Sequence, residues 1–241
     1  VIAGFATGAV FVMGISAYYL LKKQDIDFAK RSFAIAAGFG LISSLTVAFM
    51  GDNLGVLVAK EQPMKLAAIE AEWKTEPAPA AFNLIAFPSQ SQHNNIGVIQ
   101  IPEMLGLIVT HSKLDVISGI DDIEAQNRVK IERGMKAYGA LVQLRQGHHD
   151  ALATFEQNQD DLGYGLLLKK YTDNVTDATP SQIQAGAEDS IPTVLSVFLS
   201  FRVMVAIGVL TIFGFLYAFI EVTRNKKIWE RRWFLRAALY S

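Results

Sequence analysis

Three uncharged apolar runs constrain this 241-residue chain more than any other feature of its sequence. Residues 1–21, 32–51 and 203–220 contain no Asp, Glu, Lys or Arg. Because an α-helix rises about 1.5 Å per residue, each run can cross a hydrocarbon core of roughly 30 Å. A signal peptide has a shorter apolar core and would account for the first run at most. The sequence therefore predicts membrane-spanning helices.

Charge is divided between the runs and the long segment that separates them. Residues 52–189 hold 11 Lys and Arg against 19 Asp and Glu, a net charge of −8, whereas the rest of the chain has a net charge of +7. The short connectors carry much of that positive charge: Lys22, Lys23, Lys30, Arg31, Arg224, Lys226, Lys227, Arg231 and Arg232. By the positive-inside rule these connectors are cytoplasmic, which places the acidic segment on the opposite side of the membrane.

We therefore predict an all-α integral membrane protein, a transmembrane helix bundle with a large extracytoplasmic loop that contains short helices. The expected segments are transmembrane helices at 1–22, 32–51 and 190–222, cytoplasmic connectors at 23–31 and 223–232, a periplasmic loop at 52–189, and the start of a further transmembrane helix at 233–241. The chain begins with Val and ends in an apolar segment, which indicates an internal fragment of a longer protein.

A short helix is predicted near the start of the loop, over residues 64–73 (MKLAAIEAEW). Its apolar residues recur at the i, i+3 and i+7 spacing of one face: Leu66, Ile69 and Trp73. At 100° per residue, Lys65 and Glu70 lie about 140° apart, on opposite edges of that face. A hydrogen-bonding ring could lie against such a face; the alternative is an interfacial helix whose charged edges meet water and lipid headgroups.

The remaining loop gives few signals of chemistry. A second helix is predicted over residues 120–144. The four histidines show no i, i+4 pair typical of a helical metal site, so all four are expected to be solvated: His93, His111, His148 and His149. The sequence has no Cys, which excludes disulfides and thiolate metal sites. No phosphate-binding glycine loop or catalytic triad signature is present.

The third apolar segment carries one charge, Arg202, within residues 190–220. An arginine inside a membrane costs about 2.5–3.5 kcal/mol on insertion scales, so it is a functional candidate, although it can also snorkel to the nearer interface. Met204 follows two residues later; its thioether could be an axial haem ligand or a packing group. Residues two apart on a helix point about 200° apart, so these side chains do not face one target squarely.

Several stretches together resemble subunit I of cytochrome bd ubiquinol oxidase, a bacterial respiratory terminal oxidase, over essentially the whole chain. They are AYYLLK (17–22) with FAKRSF (28–33), KLAAIEAEW (65–73) with PAPAAF (77–82), GYGLLLK (163–169), FRVM (201–204) and WFLRAALY (233–240). The resemblance implies that residues 52–189 are the quinol-binding loop of the family, in its long form.

The resemblance also implies roles for individual residues. Lys65 and Glu70 match the family's Lys and Glu implicated in quinol binding and oxidation. Met204 matches the axial methionine ligand of the low-spin b-type haem, with Arg202 as the associated arginine. The second axial ligand is expected to be a histidine just before Val1.

A complete subunit of this family would also carry a high-spin b haem and haem d, and would use ubiquinol as substrate. The implied partners are a second large membrane subunit, a small accessory subunit and the lipid bilayer, with no nucleic acid. The implied location is the bacterial inner membrane, with residues 52–189 in the periplasm and protons released there. The alternative function is a membrane sensor or transporter subunit with a periplasmic ligand-binding domain.

Overall fold

The computed structural model describes residues 1–225 and 228–241, of which most are helical. The helices are α1 (Ile2–Lys22), α2 (Ile26–Glu61), α3 (Pro63–Glu70), α4 (Leu105–Val109), α5 (Ile120–Arg145), α6 (Leu152–Asn158), α7 (Leu162–Gly165), α8 (Pro180–Glu188), α9 (Val194–Ile220) and α10 (Arg232–Tyr240). The strands are β1 (Phe82–Ser89) and β2 (Asn94–Ile101). Lys226 and Lys227 of the second predicted connector lie outside the described residues.

Three helices are long and apolar enough to cross a membrane: Ile2–Lys22, Ile26–Glu61 and Val194–Arg224. The helical membrane fold predicted from the sequence is thereby confirmed. The second of these helices is longer than its uncharged run, since α2 begins at Ile26 and continues to Glu61. Asp27 in its first turn interacts favourably with the helix dipole. Its end is set by Pro63, which disfavours helical geometry in Gln62.

The chain divides into two compact units, of which the first comprises residues 1–55 and 202–241. Its core contains many alanines together with a few large side chains, among them Phe33, Phe215 and Leu235. Small residues let the helices approach closely: a Cβ added at Gly14 would lie 2.9 Å from the Ala238 carbonyl oxygen. This is the packing expected where van der Waals contact, rather than expulsion of water, holds membrane helices together.

The second unit comprises residues 56–201 and is organised around α5. One core joins α5 to the segments that follow it: Ile131, Leu168, Val175, Ile183 and Ala187. At the crossing of α5 with α7, a Cβ added at Gly134 would lie 2.4 Å from the backbone nitrogen of Gly165, so glycine is required there. The helix predicted over residues 120–144 is confirmed by α5.

The second unit also contains an antiparallel hairpin, formed by β1 and β2, in a loop for which only short helices are expected. Phe82 pairs with Ile101 and Ser89 with Asn94, with two register irregularities between them. The turn uses left-handed backbone at His93 (φ 47°). Both strands are rich in apolar and β-branched residues, which is the sequence signal for this hairpin.

Candidate functional site

The helix α3 contains both predicted quinol residues, with Lys65 near its start and Glu70 at its end. Instead of continuing to residue 73, it stops at Glu70, because Ala71 adopts the left-handed conformation (φ 53°) of a helix C-cap. The backbone nitrogen of Glu72 then donates to the carbonyl oxygen of Ala67 at 2.8 Å. Glu70 is therefore the last helical residue, and Glu72 is the first residue after the cap.

The β-hairpin supplies the hydrogen bonds that the end of α3 requires. Helix C-terminal carbonyls lack partners within their own helix. The side-chain nitrogen of Asn83 donates to the carbonyl oxygen of Glu70 at 3.0 Å, and that of Asn95 donates to Ala71 at 2.8 Å. Asn83 in turn accepts from Gln100 at 2.9 Å, and Asn95 accepts from the indole nitrogen of Trp73 at 2.9 Å. The backbone at Glu70 is thus fixed by two asparagines from separate strands.

The predicted apolar face of this helix does not form an open surface. Leu66 packs with Leu105, Val109 and other residues of its own core, while Trp73 lies in a different core beyond the end of the helix. The expectation of a continuous stripe open to a ring or to lipid is therefore wrong. The prediction from helical spacing was wrong because the helix ends before Trp73. The left-handed conformation of Ala71 turns the chain, so Trp73 does not lie on the same helical face as Leu66.

The structure places the two predicted residues in contrasting environments on α3. Lys65 is exposed, whereas Glu70 is 3% exposed and takes part in an interaction. One residue therefore presents a cation to the surroundings and the other holds a carboxyl inside the protein.

Glu72 is a titratable residue that the sequence reasoning missed. It is 6% exposed, and its side chain makes no hydrogen bond with any residue of the described part of the chain. Burial raises the pKa of Glu72 to about 8, with further contributions from the negative charges of Glu76 and Glu70. The signal available in the sequence was three glutamates within seven residues, but the burial of Glu70 and Glu72 depends on tertiary contacts.

A histidine lies beside this segment. The ring of His93 stacks on Trp73 with 4.9 Å between ring centroids, and its Nδ1 lies 2.6 Å from Oδ1 of Asp121. The prediction that all four histidines are solvated is therefore wrong for His93, which is half-buried, whereas His148 and His149 are exposed. The error arose because a histidine in a hairpin turn gives no periodic signal.

The start of α5 completes the surroundings of Glu72. The backbone nitrogens of Ile120 and Asp121 donate to the carbonyl oxygens of Glu72 and Trp73, at 2.9 and 3.0 Å. These nitrogens belong to a helix N-terminus and have no partner inside the helix. The backbone nitrogen of Glu72 is therefore hydrogen-bonded to α3, and its carbonyl oxygen is hydrogen-bonded to α5.

Arg202 and Met204 belong to the first unit, on α9. Arg202 is half-buried and takes part in an interaction, whereas Met204 is 59% exposed. Gly208 lies one turn further on the same helical face. A Cβ added there would meet no atom of the described residues within 4 Å. The thioether therefore lies on an accessible face with space beside it.

The two predicted pairs thus belong to different units, Lys65 and Glu70 to the second and Arg202 and Met204 to the first. Within the described ranges, 1–225 and 228–241, no cluster of three or more His, Asp or Glu could hold a metal ion. The sequence also has no Cys. The thioether of Met204 is therefore the candidate metal ligand that remains from the sequence reasoning.

Comparison with known proteins gives consistent results along the chain. The family model of cytochrome bd terminal oxidase subunit I matches residues 1–241. Cytochrome bd-II ubiquinol oxidase subunit 1 of Escherichia coli is 40% identical over all of this chain and 47% of its own length. Cytochrome bd ubiquinol oxidase subunit 1 of Bacillus subtilis is 26% identical over 98% of this chain and 39% of its own length.

A solved structure of bd oxidase from Geobacillus thermodenitrificans matches 91% of this chain and 55% of its own, with a TM-score of 0.44 and 16% identity. The chain spans about half the length or less of the curated relatives it matches. The family match over residues 1–241 does not support the alternative of a sensor or transporter subunit.

Proposed function

The chain belongs to the cytochrome bd terminal oxidase subunit I family, and on that basis we propose that it is the quinol-oxidising part of a quinol:oxygen oxidoreductase. Its relatives in Escherichia coli and Bacillus subtilis are named ubiquinol oxidases. In the proposed reaction ubiquinol is oxidised at the loop, its electrons pass to a low-spin b-type haem, and oxygen is reduced to water elsewhere in the complete protein.

The observation that carries this proposal is the end of α3. Glu70 is buried there, its carbonyl oxygen accepts from Asn83 and that of Ala71 from Asn95, and Lys65 is exposed on the same short helix. Groups that handle protons need a fixed position relative to the reacting atom. A helix end tied to a hairpin supplies that position more firmly than a free loop would.

Quinol oxidation requires the removal of two electrons and two protons. We assign Glu70 as the acceptor of a proton from one ring hydroxyl, which needs a carboxylate within hydrogen-bond reach. Lys65 would donate a hydrogen bond to the other ring oxygen and favour the negative charge that develops as protons leave.

Met204 and Arg202 are proposed to hold the haem. The exposed thioether and the open space at Gly208 fit a flat macrocycle whose iron takes an axial methionine. Arg202 would pair with a propionate. When bound, the haem accepts electrons one at a time, and a methionine ligand raises its reduction potential. The complete subunit is proposed to carry a high-spin b haem and haem d as well.

The proposed topology follows from the connectors. The chain is a membrane protein, with Lys22 and Lys23 at the junction of its first two candidate spans and Lys30 and Arg31 near the start of the second span. Positive connectors favour the cytoplasm, so we place the loop in the periplasm of the bacterial inner membrane. Protons released from quinol would enter the periplasm and add to the transmembrane gradient. A second large membrane subunit and a small accessory subunit are the proposed partners.

Steady-state kinetics of the complete oxidase test this function. In Glu70→Ala, ubiquinol-dependent oxygen consumption should fall by about 10²-fold or more, the usual contribution of a positioned proton acceptor. The reduced-minus-oxidised haem spectrum should stay unchanged. Glu156→Ala, which alters an exposed carboxyl elsewhere in the loop, is the matched control and should retain activity. Full activity of Glu70→Ala would refute the assignment.

A further inference from the structure

The hairpin of β1 and β2 has one face that packs inside the second unit and one face that does not. Ala86 of β1 is fully buried, in a core that also contains Val194 and Phe198 from the start of α9. Successive side chains of a strand point to opposite faces, so the two neighbours of Ala86, Ile85 and Phe87, lie on the outer face. Their side chains are 46% and 55% exposed.

The second strand extends this outer face. Ile85 pairs with Ile99 and Phe87 pairs with Ile96, and directly paired residues of an antiparallel hairpin share a face. Ile99 is 55% exposed and Ile96 is 57% exposed. These four large apolar side chains form one patch, which we call the outer hairpin face: Ile85, Phe87, Ile96 and Ile99. An exposed apolar patch of this kind marks a contact with a partner molecule or with a membrane.

The absence of charge around the hairpin favours lipid as that contact. Residues 77–102, between Glu76 and Glu103, contain no Asp, Glu, Lys or Arg, although the loop 52–189 that holds them has a net charge of −8. Surfaces that face water carry many charged residues, whereas a charged side chain in lipid costs free energy. A protein interface has a polar rim and is enriched in Arg, which this stretch lacks.

The turn of the hairpin is hydrogen-bonded to the start of a candidate membrane span. The backbone nitrogen of Val194, the first residue of α9, donates to the side-chain oxygen of Gln90 at 3.2 Å. The side-chain nitrogen of Gln90 donates to the carbonyl oxygen of Pro192 at 3.5 Å. Since α9 is apolar enough to cross a membrane from Val194 onward, the hairpin turn lies where that span begins. The outer hairpin face is therefore close to the membrane surface.

The backbone of the hairpin limits how deeply it can enter lipid. A two-stranded sheet has unpaired N–H and C=O groups along both edges, and such edges do not occur in the hydrocarbon core. In the interfacial layer, water and lipid headgroups can satisfy these groups. We propose that the outer hairpin face lies in the interfacial layer of the bilayer, at the end of the membrane where α9 starts, with its four apolar side chains in contact with lipid.

This lipid contact would fix the end of α3 relative to the membrane surface. Asn83 on β1 and Asn95 on β2 donate to the carbonyl oxygens of Glu70 and Ala71, so the two strands that touch lipid also hold the helix end. Ubiquinol is dissolved in the bilayer by its hydrocarbon tail and would reach Glu70 from the lipid. That consequence rests on the function proposed for Glu70, whereas the lipid contact itself does not.

Fluorescence quenching in vesicles tests the contact. The chain has no Cys, so a single bimane-labelled cysteine can be introduced into it at Phe87→Cys or at Ile96→Cys. The complete oxidase, with any accessible cysteines of its other parts replaced, is reconstituted in phosphatidylcholine vesicles. One quencher is dibrominated phosphatidylcholine in the bilayer, and the other is iodide in the water. Because both quenchers act on the same labelled protein, absorption by haem does not affect their ratio.

Both labels should lose fluorescence in the brominated vesicles and should be protected from iodide. Glu156→Cys, at an exposed position on α6, is the control, and its label should be quenched by iodide and not by the brominated lipid. An unchanged haem spectrum checks assembly of each labelled protein. If Phe87→Cys does not assemble, Ile99→Cys on the same face replaces it.

Two results would overturn the lipid contact. Quenching of the hairpin labels by iodide alone would show that the face is in water, and protection from both quenchers would show that another protein segment or subunit covers it. Neither result bears on Glu70, because the measurement involves no turnover. Full activity of Glu70→Ala would overturn the proposed function and would leave quenching by the brominated lipid unchanged.

Discussion

At the end of α3, Glu70 and Glu72 are buried and the backbone is held by hydrogen bonds from a hairpin and from α5, whereas on α9 Met204 is 59% exposed beside an open glycine. The first region is organised by this chain alone. The second offers a ligand atom on a helical face, which the proposed haem would occupy. Quinol chemistry and haem binding therefore place different demands on the sequence, and variants in the two regions should fail in different ways.

The largest effect is expected on α9. Met204→Leu removes the thioether while keeping the size of the side chain, so the low-spin b-haem band of the complete oxidase should be lost or shifted. Met50→Leu, an exposed methionine on α2, is the matched control and should leave every haem band intact. A native spectrum in Met204→Leu would show that this residue is not an axial ligand.

The second-largest expected effect is on the free energy of unfolding and comes from Glu72. The folded pKa of about 8 exceeds the ordinary value of 4.5, so between those values the folded state holds a proton that the unfolded state has lost. Stability from this group is therefore fully present below pH 4.5 and falls as the pH rises to 8. At pH 7 the loss is on the order of 3 kcal/mol.

Glu72→Gln should remove the pH dependence of stability that comes from this carboxyl. Hydrogen exchange of the backbone amides near residues 71–73 should slow with the substitution at pH 7, and the variant and native rates should converge below pH 5. Faster exchange in the variant at pH 7 would show that the ionised carboxyl is stabilising, contrary to this account.

A smaller effect is expected at Lys65. A hydrogen bond from a charged donor contributes about 1.5–3 kcal/mol, so Lys65→Met should raise the KM for ubiquinol roughly tenfold to a hundredfold. Since Lys65 is exposed, folding should be unaffected. Lys60→Met, near the end of α2, is the control. An unchanged KM in Lys65→Met would remove this residue from the binding site.

The smallest effect is expected from the hairpin contacts. Asn95→Ala removes the hydrogen bond to the Ala71 carbonyl oxygen and the acceptor for Trp73, which should cost about 1–3 kcal/mol locally. Exchange of amides at the end of α3 should accelerate, while the haem spectrum stays native. Asn94→Ala, the neighbouring residue, is the matched control. Equal exchange in the two variants would mean that the hairpin does not hold this helix end.

Much of this architecture was predictable because membrane spans are long and uniform. The uncharged runs identified the helices, and the spacing of residues 120–144 identified α5. The end of α3 could not be predicted, since a left-handed alanine at position 71 and two asparagines from a hairpin decide where the helix stops. Burial of Glu72 depends on the same tertiary contacts. Local periodicity carries no information about them.

We propose that the end of α3 oxidises quinol and that the haem bound by α9 only receives the electrons. Stopped-flow reduction of the complete oxidase by ubiquinol and by dithionite, compared in the native protein and in Glu70→Gln, tests this most directly. Dithionite should reduce the low-spin haem equally in both, whereas ubiquinol should reduce it about 10²-fold more slowly in the variant. Equal rates with ubiquinol would contradict it.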